Sequence, residues 1–134
     1  MKSQEERLIE AAKSVQGEFC LRGDFTAGTV AAAILTSKGN IFTGICIDLA
    51  CGLGFCAEVA AIAEMLKHRE KQIIAVVAVG DTGDLLAPCG RCRETIAQLD
   101  ERNMDCRVLL SGGRSVPLGT LLQEHWLDTP QKSS

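Results

Sequence analysis

The chain reads as an α/β protein, a three-layer α/β/α domain around a mixed sheet of about five strands. Three observations predict it. Apolar residues recur at helical spacing in several segments, as Leu8, Ile9, Ala12 and Val15 do near the start. Two clean apolar runs of strand length, "TVAAAIL" and "IIAVVAV", sit between them. The segments follow the order helix, strand, strand, helix, strand, helix, strand, helix, which puts helices on both faces of the sheet. Strand–helix–strand crossovers then make the later strands parallel, while an opening hairpin is antiparallel.

The first helix spans roughly residues 3 to 16, with Ser3 and Glu6 forming a capping box. "GTVAAAILT" and "NIFTGICID" are two strands of a hairpin, and Gly39 between them supplies the turn conformation. "LACGLGF" is irregular. "CAEVAAIAEMLKHRE" is the second helix, "QIIAVVAVG" a buried strand and "DTGDLLAP" a loop. "CGRCRETIAQLDERN" is a third helix, "DCRVLLS" a strand and "PLGTLLQEH" a short final helix. One domain over residues 1–128 and a disordered tail over 129–134 complete the expected organisation.

Composition bounds the function. Hydrophobic residues make up 46% of the chain and charged ones 23%, the balance of an ordinary soluble globular protein. A net charge of −3 and a pI of about 5.4 argue against a nucleic-acid polymer as partner. The N-terminus "MKSQEERLIEAAKSV" lacks the apolar stretch of a signal peptide, and no apolar run is long enough to span a bilayer. Seven cysteines without an export signal fit a reducing cytoplasm. A small molecule is the expected ligand.

The cysteines carry the chemistry. Cys89 follows Pro88 at the start of the third helix and Cys92 lies one turn on, so both sulfurs can reach one ion. Cys56 stands at the same place in the second helix, and helix N-termini favour thiolates. Three thiolates select zinc, one per chain, and leave a fourth coordination position open for water. Glu58 reaches that position from the first turn of its helix. Two other readings stay open from the residues alone. "CGRC" suits a thiol–disulfide oxidoreductase, and Cys51 could complete a closed structural site with the other three ligands.

"CAE" followed at a distance by "PCGRC" resembles the zinc signature of the cytidine deaminase superfamily. The all-cysteine form is that of its small homotetrameric members and of blasticidin S deaminase, which "PCGRCR" resembles most. The resemblance runs from about Gly28 to Trp126 and also includes "IFTG". It implies a cytidine deaminase-like fold, a homotetramer and hydrolytic removal of an amine from an aminopyrimidine nucleoside or a related compound. It further implies that Glu58 carries protons from zinc-bound water to the ring and the leaving amine. A family arginine that offsets the thiolate charge is replaced by Val59, which leaves Arg91 and then Arg93 for charge tuning.

The substrate set departs from the family. Where cytidine deaminases read "TGxNVEN", this chain has "TGICIDL", so Cys46 and Asp48 stand at the sugar-binding positions. Thr29 replaces the phenylalanine that stacks on the pyrimidine. "LLQEHW" resembles "LLPxxF", which assigns Trp126 a contact with an active site across the oligomer. Cys20 and Cys106 are expected as core filler, and His68 and His125 as solvated helix-end residues.

Overall fold

The structure is a computed structural model and describes residues 2–128; the tail 129–134, expected to be disordered, lies outside the described residues. Helix α1 (Gln4–Val15) opens at Ser3, whose hydroxyl accepts the Glu6 N–H at 3.1 Å as the capping box requires. Helices α2 (Ala57–Lys67) and α3 (Gly90–Leu99) follow. The strands are β1 (Phe19–Cys20), β2 (Thr26–Thr36), β3 (Ile41–Asp48), β4 (Ile73–Val79), β5 (Leu85–Leu86), β6 (Arg107–Leu109) and β7 (Ser115–Pro117).

β2 is the hub of one mixed sheet, pairing antiparallel with β1, β3 and β4. β4 runs parallel to β6, and β6 pairs antiparallel with β7. β1 and β5 are two-residue additions, which leaves five principal strands. Gly39 turns the β2–β3 hairpin at φ +86°.

Strand alternation sorts the core into two layers. Ala31, Ala33 and Leu35 of β2, with Val77 and Val79 of β4, face Leu8 and Ala12 of α1. Ile34 and Val76 point the other way, onto Ile62 and Met65 of α2 and Ile96 of α3. Full burial of each large aliphatic side chain contributes about 1.5–3 kcal/mol. The alanines of β2 keep the helices close, and Gly44 on β3 takes this furthest. A Cβ at Gly44 would lie 2.4 Å from Ala61 N and 2.6 Å from Ala57 O, so the backbone of α2 rests directly on β3.

Several elements differ from expectation. α3 ends at Leu99, because Asp100 is extended (φ −165°) and its carboxylate accepts the Arg102 N–H at 2.9 Å. The Asp100 side chain thereby starts a separate 3₁₀ turn, Glu101–Asp105. The expected final helix is strand β7 followed by a 3₁₀ turn over Leu118–Leu121, where Leu118 N–H donates to Cys106 O at 2.9 Å. The loop before Cys89 contains β5. Cys106 is buried as expected, but Cys20 is exposed on the edge ribbon β1. His125 is buried rather than solvated, with its Nε2 2.6 Å from Glu94 Oε2. No described helix is long and apolar enough to cross a membrane.

Candidate metal centre and active site

Two chain reversals bring the cysteines together. After β3 the chain loops out and returns, and Ile47 and Phe55 exchange two backbone hydrogen bonds of 3.0 Å. Gly54 makes that return possible, since a Cβ there would lie 2.3 Å from Ile47 O. The closed loop delivers Cys56 as the N-cap of α2. From β4, the chain passes through β5 and buried Pro88 to Cys89, the N-cap of α3. Arg93 reaches back from α3, and its Nε donates to Pro88 O at 2.8 Å, fixing the segment that presents Cys89.

The sulfurs of Cys56, Cys89 and Cys92 lie within 4.8 Å of one another. Cys56 and Cys89 are 3.5 Å apart, and Cys89 and Cys92 are 3.6 Å apart. Two thiolates bound to zinc at about 2.3 Å across a tetrahedral angle are roughly 3.8 Å apart, so the donor set fits this ion. The electrostatics agree. Burial works against the Cys89 anion, but the backbone amides of Cys92 and Arg91 and the neighbouring thiols hold its pKa below the ordinary value. Burial, together with repulsion from its anionic neighbours, pushes Cys56 and Cys92 up. Ionising all three therefore requires a cation among them.

Glu58 occupies the first turn of α2 and is only 4% exposed. Burial pushes its carboxyl above the ordinary carboxylate range, against the pull of its own backbone amide and the Cys92 thiol. Cys56, Cys89 and Glu58 open into a 650 Å³ pocket, large enough for a nucleoside-sized molecule. Arg91 lines the same pocket, as do Thr29, Cys46 and Asp48.

Other expected site residues lie elsewhere. Arg93 is spent on Pro88. Trp126 does not line the pocket of its own chain; its indole N–H donates to Glu94 Oε1 at 3.0 Å and the residue is 54% exposed. Cys51 lies outside the thiol cluster and is exposed. Phe55 and Leu86 line the pocket and were not anticipated. Phe55 was hidden inside an irregular stretch, because nothing in its spacing signals the bridge to Ile47.

Comparison with known proteins agrees with this geometry. Residues 2–107 match a family model described as the cytidine and deoxycytidylate deaminase zinc-binding region. A probable cytidine deaminase of Dictyostelium discoideum is 34% identical over 104 residues, covering 75% of this chain and 69% of that protein. A cytidine deaminase of Halalkalibacterium halodurans is 32% identical over 93 residues, 69% of this chain and 68% of its own. Among solved structures, the cytidine deaminase of Mycobacterium leprae superposes with a TM-score of 0.77 at 25% identity, covering 92% of this chain and all of that one. That of Burkholderia pseudomallei gives 0.73 at 30% identity, over 92% of this chain and 98% of its own. Because the matched span holds both helix N-termini that carry the thiols, the chain belongs to the cytidine and deoxycytidylate deaminase family, zinc-dependent hydrolases of amidine C–N bonds.

Proposed function

We propose that the protein hydrolytically deaminates a cytosine-type aminopyrimidine nucleoside or a closely related small molecule. The observation that carries this reading is Glu58, a buried carboxyl with a raised pKa that shares an open pocket with converging thiols. Cys56, Cys89 and Cys92 would hold zinc, which supplies Lewis acidity that brings the pKa of water toward about 7.

Glu58 acts as the proton carrier. It accepts a proton from the attacking water and passes it to the ring nitrogen beside the reacting carbon. The water oxygen forms the new bond to the amine-bearing carbon. Glu58 then delivers the second water proton to the amine, the C–N bond breaks with its electron pair on nitrogen, and ammonia departs. The ring keeps an oxo group and one added N–H, so water and substrate are fully accounted for. A raised pKa suits this duty, because the carboxyl must hold each proton before giving it up.

Arg91, which lies between Cys89 and Cys92 and lines the pocket, would offset the negative charge of three thiolates on a divalent ion. Arg93 supports the site by holding the Pro88 segment. Asp48, which lines the same pocket, contacts the substrate. In a homotetramer, Trp126 contributes to an active site of a neighbouring subunit, a reading its exposure in the single chain supports.

The test is ammonia release by the zinc-loaded protein over cytidine, deoxycytidine, cytosine and a blasticidin-type antibiotic, with Glu58→Gln in parallel. Glu58→Gln is expected to keep zinc and fold while losing about 10²–10⁴ in turnover. Undiminished turnover in that variant would remove Glu58 from the mechanism.

A further inference from the structure

Glu94 on α3 takes no part in the pocket of its own chain. It stands two residues past Cys92, a spacing that puts side chains on different sides of a helix, and it does not line the pocket. Both of its oxygens are used on the C-terminal segment instead. Oε1 accepts the Trp126 indole N–H at 3.0 Å, and Oε2 lies 2.6 Å from His125 Nε2. The Leu127 N–H donates to the other ring nitrogen, Nδ1, at 3.3 Å, which leaves the imidazole proton on Nε2 for Glu94. One carboxylate therefore accepts from two consecutive side chains, one per oxygen.

The two rings it holds differ in burial. His125 is buried, whereas Trp126 opens the short 3₁₀ turn Trp126–Asp128 and stands exposed. Their centroids are 6.0 Å apart and the rings are tilted by 39°. An exposed aromatic side chain can swing about two torsions unless its edge is fixed. Glu94 fixes that edge. The N–H it consumes is the one donor of the indole, so the ring presents only carbon and its π face to whatever meets it. The anchor itself is firm, because Arg93 bound to Pro88 O pins the first turn of the same helix.

Resting on the reading that Trp126 enters an active site of a neighbouring subunit, we infer that Glu94 is a positioning residue for substrate binding in that subunit. It acts through Trp126, by setting the orientation of the indole before the substrate arrives. The entropy of ordering an exposed ring is then lost on folding rather than on binding.

Trp126 is the single tryptophan and the chain has no tyrosine, so tryptophan fluorescence reports on this ring alone. The variants are Glu94→Gln, Trp126→Ala and the double substitution, each zinc-loaded and checked for assembly by light scattering. Glu94→Gln keeps the shape of the side chain but sets an amide NH2 against one of the two donors. It is expected to lower the fluorescence anisotropy of Trp126 with the thermal midpoint retained. It should also raise KM by roughly three- to tenfold with kcat within about twofold, for whichever of cytidine, deoxycytidine, cytosine and a blasticidin-type antibiotic is turned over fastest. In the Trp126→Ala background, Glu94→Gln should add nothing further to KM, because the residue it acts through is gone. Unchanged anisotropy in Glu94→Gln overturns the inference, and so does a lower anisotropy with KM unaltered. Additive effects of the two substitutions overturn it as well. The reading beneath it fails by a different result: a Trp126→Ala protein with unaltered KM removes Trp126 from the neighbouring site, whatever Glu94 does to the anisotropy. Silence across all four compounds removes the deaminase reading and this inference with it.

Discussion

Replacing Gly44 with alanine would test whether the catalytic geometry is set by the contact of α2 with the sheet. The added Cβ would lie 2.4 Å from Ala61 N, 2.6 Å from Ala57 O and 2.7 Å from Ala60 Cβ, all on α2. Two of these are backbone atoms in a regular helix, so no side chain can swing away to make room. Restoring ordinary contact requires α2 to retreat by roughly 1 Å. Cys56 and Glu58 are carried on the first turn of that helix, whereas Cys89 and Cys92 sit on α3 and stay behind. Metal–sulfur distances tolerate only about 0.2 Å, and a misplacement of about 1 Å can cost roughly 10²-fold in rate. Overpacking adds a stability cost of about 1–3 kcal/mol. The assay combines kcat, zinc content, thermal midpoint and the thiolate absorption of the cobalt(II)-substituted protein. Gly17→Ala is the control, since nothing lies within 4 Å of a Cβ there and its φ is ordinary. The expected result for Gly44→Ala is a folded protein with altered cobalt absorption and a kcat about 10–100-fold lower. A variant with full zinc, unchanged absorption and kcat within about threefold of the unsubstituted enzyme would refute the reasoning.

Other consequences can be measured directly. Cys51→Ser should retain one zinc per chain while Cys92→Ala loses it, because Cys92 but not Cys51 belongs to the sulfur cluster; metal analysis of purified variants decides this. Chelating the zinc should lower the thermal midpoint by roughly 5–10 °C, since the ion binds only the folded arrangement of three thiols. Asn103→Ala should cost about 2–4 kcal/mol in denaturant unfolding. Fully buried Asn103 accepts the Ile73 N–H at 2.7 Å and donates to Lys71 O and Ile96 O at 3.0 Å each, and all three would lose their partner. Hydrogen bonds from the Arg102 side chain and backbone hold the Asp100 carboxyl down at about 2, so its stabilisation is complete above the ordinary value of 3.8 and is lost as pH falls toward 2. The gap in urea midpoint between the unsubstituted protein and Arg102→Ala should therefore close over that interval, and a gap that widens in acid would contradict it.

The cluster of Cys56, Cys89 and Cys92 was legible in the sequence because its logic is local. A cysteine at a helix start followed by another one turn later carries its geometry with it, and Glu58, two residues after Cys56, falls in the first turn of the same helix. The opening hairpin and β4 were legible for the same reason, each being a continuous apolar run with a turn residue at its end. The end of α3 was not, because Asp100 competes for the backbone through its own side chain, and periodicity does not register that competition. Burial of His125 was illegible too, since it depends on Glu94 of another element. The place of Phe55 and the burial of Cys46, whose sulfur accepts the Val30 N–H at 3.3 Å, belong to this class. Each follows from a pairing across the fold, Ile47 with Phe55 and Val30 with Cys46, that no spacing along the chain announces.

The same division separates what is rigid in this site from what is adjustable. The thiols and Glu58 stand on first turns of helices that rest on the sheet, and one of those helices has no clearance at Gly44. A substitution that moves them changes metal and proton chemistry together. The stretch around Asp48 is different. Asp48 is the last residue of β3, and an exposed loop follows, closed by the two hydrogen bonds between Ile47 and Phe55. Side chains there can change without disturbing the helix starts, because the backbone bonds that deliver Cys56 involve no side chain. On the proposed reading the starts of α2 and α3 carry the deamination chemistry, and side chains beside Asp48 can vary without moving those starts.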